Sequence, residues 1–159
     1  MFDGPTPLPR RTAHKPFKAV LINPYELGRQ PFALAEPAAW LTRAGCDVAC
    51  IDLSLDRLDA AALADAGLVA IHVGMHTATR IAIEALPRIR ELAPHAHLCI
   101  YGLYAPVNEP LLRSLGAKTI LGGECEPQLC DLALQLAQNH TPAPQTEINL
   151  ARIEFLAPR

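Results

Sequence analysis

The chain has 159 residues, 50% of them hydrophobic, and its 14 Lys and Arg against 16 Asp and Glu give a net charge of −2. This length suits one compact domain, because such a chain buries roughly 70% of its unfolded surface. The near-neutral balance offers no broad attraction for polyanions, so neither nucleic acid nor a membrane surface is expected as a partner.

After a flexible, proline-rich leader at 1–16, short β-branched runs alternate with longer amphipathic stretches. This alternation predicts βα units around a parallel sheet whose strands are covered on both faces. The predicted strands are 18–22, 47–52, 68–74, 97–102 and 117–121, and the predicted helices are 32–44, 58–66, 78–93, 108–115 and 124–138. Over residues 17–139 we therefore expect an α/β, flavodoxin-like (Rossmann-like) doubly wound fold, with a five-stranded parallel sheet in the order 2-1-3-4-5 and helices on both faces.

Prolines modify this prediction at three places. A proline inside a helix removes a hydrogen bond and clashes with the preceding turn, at a cost of about 3 kcal/mol. We therefore expect the first helix to begin near Glu36, just before Pro37, and the third helix to kink near Pro87. Residues 140–159 contain three prolines and no helical period, which indicates a linker or arm outside the core.

The cysteines and apolar runs indicate a cytoplasmic protein. The five cysteines, an odd number, stand at 46, 50, 99, 125 and 130, several inside apolar runs, which is typical of reduced thiols. The apolar stretch after the Arg10-Arg11 pair covers only 19–22, too short for a signal peptide. No run reaches the roughly 18 apolar residues of a membrane-spanning helix.

In an open parallel sheet, a ligand binds beyond the carboxyl ends of the strands where the strand order reverses, here between the first and third strands. The loops at 23–31 and 74–79 therefore form the predicted crevice. The first loop has only Gly28, so it lacks the Gly-x-Gly-x-x-Gly of a dinucleotide fold, and Asp52 alone is weak evidence for a ribose site. It also lacks a flavodoxin phosphate loop and the acidic cluster of a receiver domain.

Several segments resemble a known cofactor domain. The turn Asn23-Pro24-Tyr25-Glu26-Leu27-Gly28 keeps the spacing of Asp-x-His-x-x-Gly, a cobalt-ligating turn, with tyrosine in the histidine position. Two further segments are A-x-x-A-A-W-L-T-R-A-G-C-D-V at 35–48 and I-L-G-G-E-C-E-P-Q-L at 120–129. In their order and spacing, residues 18–138 resemble the cobalamin-binding domain at the N-terminus of B12-dependent radical S-adenosylmethionine (SAM) enzymes.

The resemblance implies a cobalamin whose corrin lies over the carboxyl end of the sheet and whose dimethylbenzimidazole tail is withdrawn into the domain. A neutral phenol is a poor cobalt ligand, so Tyr25 would cover the lower face, and the cobalamin would be base-off with no protein histidine on cobalt. Glycines at strand ends would let the cofactor approach the backbone. The implied cofactor-binding residues are Asn23, Tyr25, Gly28, His72, Gly74, His76, Thr77, Gly102, Tyr104, Gly122, Gly123 and Glu124. No catalytic or metal-ligating residue is assigned.

Such a cofactor fits a radical SAM type methyltransferase or a related enzyme. The cluster motif of those enzymes, Cys-x-x-x-Cys-x-x-Cys, is incomplete, because Cys46 and Cys50 have its first spacing but position 53 is leucine. These two thiols are interpreted as core residues on one face of a strand. S-adenosylmethionine and a [4Fe-4S] cluster would therefore come from a radical SAM barrel in another domain or partner chain, toward which 140–159 would lead.

Departures from the family pattern leave other interpretations open. His72-Val73-Gly74 stands where a Ser-x-Leu-like turn is usual, and Gly102-Leu103 stands where a glycine pair is usual. One alternative is a non-catalytic interaction module that has lost the cofactor, and another is a nucleotide-binding doubly wound domain. In the interaction module, the crevice would be filled by Tyr25, Met75, His76 and Tyr104.

Two of the candidate residues also have simpler interpretations. Tyr25 could pack on the first helix, and His72 could be a core histidine whose hydrogen bonds are satisfied. A zinc site shared by His72 and His76 would need a third ligand, and none is near in sequence.

Overall fold

The computed structural model describes residues 15–156, so the predicted leader at 1–16 falls almost entirely outside the described residues. Its strands are β1 (Lys18–Asn23), β2 (Asp47–Asp52), β3 (Leu68–His72), β4 (His97–Tyr101), β5 (Thr119–Gly123) and β6 (Gln145–Asn149). Its helices are α1 (Phe32–Arg43), α2 (Ala60–Ala64), α3 (His76–Leu92), α4 (Glu109–Ser114) and α5 (Glu126–Ala137), and a short 3-10 helix (Pro106–Asn108) precedes α4. Within 15–156 the six strands form one parallel sheet in the order β2-β1-β3-β4-β5-β6.

Side chains of β1 alternate between two hydrophobic clusters, one on each face of the sheet. Ala19 and Leu21 are buried with residues of α1 and α5, whereas Val20 and Ile22 are buried with residues of α2, α3 and α4. Successive side chains of a strand point to opposite faces, so each face needs its own layer of helices. The predicted α/β fold with an open parallel sheet is confirmed, and the predicted count of five strands is wrong.

The sixth strand, β6, lies inside the segment that was predicted to be a linker or arm. It pairs in parallel with β5 and is held by Arg113 of α4, whose guanidinium donates to the carbonyl oxygen of Gln145 and to the hydroxyl of Thr146. The Thr146 hydroxyl donates in turn to Glu109. Only Ile148 is apolar among the residues QTEIN of this strand, so the alternating hydrophobic pattern that predicts a strand is missing.

α1 begins at Phe32 rather than near Glu36, although Pro37 lies inside it. A proline at 37 has no N–H for the carbonyl oxygen of Ala33, four residues earlier. The hydroxyl of Tyr101, at the end of β4, donates to that oxygen at 2.6 Å. A tertiary hydrogen bond therefore replaces the missing helical one, which explains how the helix accommodates the proline.

Two further expectations need correction. α3 begins at His76 instead of residue 78, and it ends at Leu92 with Pro87 inside it, where the kink was predicted. Cys50 is exposed on β2 and not a core thiol, because it lines an open cavity beside the start of α1, and Cys46 is only partly buried. Of the helices within 15–156, none is long and apolar enough to cross a membrane.

Candidate functional site

The strand ends bring several predicted site residues to one edge of the sheet, which we call the carboxyl edge. Asn23 ends β1, His72 ends β3 and Gly123 ends β5, while Gly74 and Gly102 come shortly after β3 and β4. β1 pairs with both β2 and β3, so the strand order reverses beside Asn23. Open α/β sheets have their ligand crevice at this point.

Asn23 and His72 form a partly buried hydrogen-bonded pair at the carboxyl edge. The Asn23 side chain is fully buried, and its Oδ1 lies 3.3 Å from Nδ1 of His72. An amide oxygen only accepts, so Nδ1 carries the imidazole proton and Nε2 remains an acceptor. Burial lowers the pKa of His72 to about 4, and the ring is therefore neutral at pH 7. Nδ2 of Asn23 is buried and has no hydrogen-bond partner within residues 15–156.

The imidazole of His72 fills the space beside Gly74 and Gly102. A Cβ on Gly74 would lie 2.5 Å from Cε1 of this ring, and a Cβ on Gly102 would lie 2.9 Å from its Cδ2. The ring of Tyr101 stands on another side of His72, with the ring centroids 5.3 Å apart. The two glycines therefore make room for a side chain of this chain, at places where the resemblance implied close approach by the cofactor.

Gly122, Gly123 and Glu124 contact β6 and the 3-10 helix before α4. A Cβ on Gly122 would lie 2.6 Å from Cγ of Pro106, and a Cβ on Gly123, where φ is +73°, would overlap the carbonyl group of Asn149. The N–H of Glu124 donates to that carbonyl oxygen at 3.0 Å, and the Asn149 amide donates to the Glu124 carbonyl oxygen at 2.7 Å. These three predicted cofactor residues thus fix the end of β6.

Residues 150–156, which we call the C-terminal strap, run from the end of β6 to α1. The N–H of Ile153 donates to Oε2 of Glu124 at 2.6 Å, close to the start of α5. The N–H of Leu156 donates to Oε1 of Glu36, on α1, also at 2.6 Å. The strap therefore joins the N-terminal ends of α5 and α1, the two helices that cover the same face of the sheet.

An aromatic contact and two carboxylates hold the strap. Phe155 meets Phe32, the first residue of α1, edge to face with the ring centroids 5.6 Å apart. Glu36, which accepts from the strap, is fully buried. Burial, together with repulsion from Glu36 and Glu124, raises the pKa of Glu126, and its Oε2 is buried without a hydrogen-bond partner in the described part of the chain. The carboxyl groups of Glu36, Glu124 and Glu126 therefore lie near one another beneath the strap.

An open cavity of about 380 Å³ lies on the other side of the start of α1. It is lined by Gly28, Arg29, Gln30, Pro31, Leu34, Cys50, Asp52, Ser54, Leu55 and Asp56. Gly28 has φ of +71°, and a Cβ there would meet no described atom within 4 Å. Tyr25, in the same loop, is half-buried. One carboxylate oxygen of Asp52 accepts from the N–H of Ser54 at 3.0 Å, so it already stabilises the turn after β2.

The remaining predicted residues contribute little to the filling of the crevice. His76 and Thr77 are exposed in the first turn of α3, and Tyr104 packs against the core on the face covered by α3 and α4. The residues that do fill it are His72 and Tyr101, and Tyr101 was not predicted. Among residues 15–156, no group of three or more His, Cys, Asp or Glu side chains is placed to hold a metal ion.

Exposed aliphatic side chains also mark the carboxyl edge, and the sequence pattern did not predict them as a group. They follow the ends of β1, β2, β4 and β6, and their exposure ranges from 66% for Leu27 to 88% for Leu150. The set is Leu27, Leu55, Leu103, Val107 and Leu150. Exposed aliphatic side chains indicate contact with a ligand or partner where they form one contiguous patch. The signal in the sequence is a leucine or valine in each turn where a polar residue is usual.

A scan of protein-family models finds no match to this chain, and a search of curated proteins finds no significant match. What this chain binds is therefore inferred from the geometry of the carboxyl edge and from the motifs quoted from the sequence.

Proposed function

We propose that this domain is a cobalamin-binding module, base-off and with no protein histidine on cobalt, of a radical SAM type methyltransferase or a related enzyme. The resemblance over 18–138 supports the proposal, as does the order of β1 to β5, which is that of a flavodoxin-like sheet. S-adenosylmethionine and a [4Fe-4S] cluster would belong to a radical SAM barrel in another domain or in a partner chain.

The observation that carries the proposal is the set of exposed aliphatic side chains at the carboxyl edge. A corrin is a broad, flat macrocycle with apolar faces and a rim of amide groups, so it would cover such a surface. Complete burial of one of these side chains would contribute about 1.5–3 kcal/mol to the free energy of binding. The unsatisfied Nδ2 of Asn23, beside the same edge, is the kind of group that a ligand oxygen completes.

The macrocycle and the nucleotide tail of cobalamin differ in how well they fit. The carboxyl edge is open above Leu27, Leu55 and Leu103, and the half-buried Tyr25 is available to cover the lower face of a corrin. The space between α1, α5 and the sheet is occupied by His72, Tyr101 and the C-terminal strap. The residues present therefore fit the macrocycle and do not fit a withdrawn tail.

The direct test is to mix the purified protein with hydroxocobalamin, remove free ligand by desalting and record the visible spectrum. We expect retained corrin with a base-off spectrum. The variant Leu103→Asp should weaken retention by about tenfold, because it places a charge against an apolar face. Leu134→Asp, on the exposed face of α5, is the matched control and should retain corrin normally. Loss of corrin from the unaltered protein under both oxidising and reducing conditions would refute the proposal.

The position of cobalt relative to residue 25 has its own test. Tyr25→His should shift the spectrum of the bound corrinoid toward nitrogen ligation, since imidazole binds cobalt and a neutral phenol does not. A spectrum identical to that of the unaltered protein would place residue 25 away from the metal.

A non-catalytic interaction module is the second candidate function. It is favoured by the filling of the crevice by His72 and Tyr101, because a domain that has lost its cofactor would close the vacated space. The exposed aliphatic set would then contact a protein. Absence of corrin retention, together with a partner whose binding is lost in Leu103→Asp and kept in Leu134→Asp, would favour this candidate over the first.

A further inference from the structure

We infer that the carboxyl edge recognises corrinoids by the macrocycle alone and leaves the nucleotide tail outside the domain. A tail-less corrinoid such as cobinamide should therefore bind at least as tightly as cobalamin. The inference rests on the proposed corrinoid function, and it departs from the tail-in arrangement that the family resemblance implies.

The first observation is the locked position of Tyr101. Its side chain is almost fully buried between the sheet and α1, and its hydroxyl donates to the carbonyl oxygen of Ala33. Moving Tyr101 aside would leave that oxygen without this donor, because Pro37 has no N–H to offer it. The neighbouring ring of His72 is held by a hydrogen bond with Asn23. Admitting an aromatic tail would therefore require the loss of two partly buried hydrogen bonds.

The second observation is the C-terminal strap. Two of its main-chain N–H groups donate to carboxylates, that of Ile153 to Glu124 and that of Leu156 to Glu36. Hydrogen bonds to charged groups are stronger than those between neutral groups. The edge-to-face contact of Phe155 with Phe32 adds an aromatic anchor at the same place. A tail that entered here would have to displace a segment of the chain that is already bound.

The third observation is the charge of the carboxylates that hold the strap. The nucleotide tail of cobalamin carries an anionic phosphodiester. Glu36, Glu124 and Glu126 surround the space beneath the strap, and mutual repulsion already contributes to the raised pKa of Glu126. An added phosphate would face carboxylates in a partly buried environment, where like charges repel strongly. Cobinamide lacks this phosphodiester and avoids the repulsion.

The protein also offers no buried site for the displaced benzimidazole. If Tyr25 covers the lower face of the macrocycle, benzimidazole cannot remain on cobalt. In a tail-in domain, burial of the displaced base offsets that loss. Here the space for the base is filled, so cobalamin loses its axial nitrogen bond without compensation, whereas diaquacobinamide loses only a weakly bound axial water.

The experiment measures equilibrium binding of hydroxocobalamin and diaquacobinamide to the unaltered protein by visible absorbance. We expect cobinamide to bind as tightly as cobalamin or more tightly. Cobalamin binding about tenfold tighter than cobinamide would refute the inference while leaving the proposed function intact. If neither corrinoid is retained, the proposed function itself fails, and the inference fails with it.

A variant identifies the groups that exclude the tail. In His72→Ala/Phe155→Ala, the space beside the glycines is enlarged and the strap loses its aromatic anchor. The ratio of the two dissociation constants should shift toward cobalamin by about tenfold. His95→Ala, which removes an exposed histidine just before β4 at the opposite end of the sheet, is the control. If the double variant still unfolds cooperatively and its ratio of dissociation constants is unchanged, these side chains do not exclude the tail. The comparison of the two corrinoids on the unaltered protein does not depend on this variant.

Discussion

The hydrogen bond between Tyr101 and Ala33 gives a quantitative prediction for the stability of the fold. Tyr101→Phe removes the donor and keeps the ring, so the carbonyl oxygen of Ala33 loses its partner. Such a loss costs the net hydrogen bond and leaves a partly buried carbonyl unsatisfied, which together amount to about 2 kcal/mol. For a domain of this size, that corresponds to a fall in melting temperature of roughly 4–8 °C.

Pro37 makes the explanation specific. In a Pro37→Ala background, the new N–H of residue 37 can donate to Ala33, as in an ordinary helix. Tyr101→Phe should then cost only about 1 kcal/mol or less, so the two substitutions should couple by about 1 kcal/mol in a double-mutant cycle. Tyr104→Phe is the control, because the hydroxyl of Tyr104 has no such role in the described contacts, and it should cost less than about 0.5 kcal/mol.

Urea denaturation followed by circular dichroism measures all of these free energies of unfolding. An equal cost of Tyr101→Phe in the unaltered protein and in the Pro37→Ala background would refute the reasoning. It would mean that the Ala33 carbonyl oxygen is satisfied in another way, and that α1 accommodates its proline without help from β4.

Three further predictions concern β6, the glycines and His72. Gly123→Ala should destabilise the protein by more than about 2 kcal/mol and expose β6 to proteases. Gly28→Ala, at a similar φ in open space, should cost only about 1 kcal/mol. Equal melting temperatures for the two variants would contradict this prediction. Arg113→Met should cost about 1–3 kcal/mol and accelerate proteolysis after α5, and unchanged cleavage would show that the strand does not depend on this residue. Burial lowers the pKa of His72 from 6.5 to about 4, so the unfolded chain binds the proton more readily and stability should fall by roughly 2–3 kcal/mol as the pH drops through that interval. His72→Gln should reduce this pH dependence. If urea titrations gave the variant and the unaltered protein parallel profiles of unfolding free energy against pH, the dependence would not come from His72.

The parallel sheet and the identity of its first five strands were predictable because buried parallel strands are short, continuous apolar runs. Lys18–Asn23 and Leu68–His72 are of this kind. β6 was not predictable in the same way. It lies at the edge of the sheet, and Arg113 and Thr146 hold it through polar contacts with a helix far away in sequence, so its apolar content is low. Edge strands held in this way carry little of the hydrophobic pattern on which prediction from sequence depends.

The start of α1 was mispredicted for a related reason. The local rule that places a proline in the first turn of a helix is sound, but the donor that overrides it comes from Tyr101, on a strand 68 residues beyond Ala33. At the carboxyl edge, the position of the site followed from topology. The groups that occupy the space at this edge could not be predicted from topology. The glycines at 74 and 102 are equally compatible with a bound cofactor and with the ring of His72.

These two findings bear on how Tyr25 is interpreted under the proposed function. In a domain with a cobalt-ligating histidine, the protein displaces the benzimidazole and must then accommodate it, so the ligand and the space for the tail are useful only together. Under the proposed function, tyrosine stands here at the position of that histidine, and His72, Tyr101 and the strap occupy the space between α1, α5 and the sheet. A chain that had changed only residue 25 would keep an open space for the tail and would prefer cobalamin to cobinamide. The relative affinity for these two corrinoids therefore distinguishes a single altered ligand from a site rebuilt around the macrocycle.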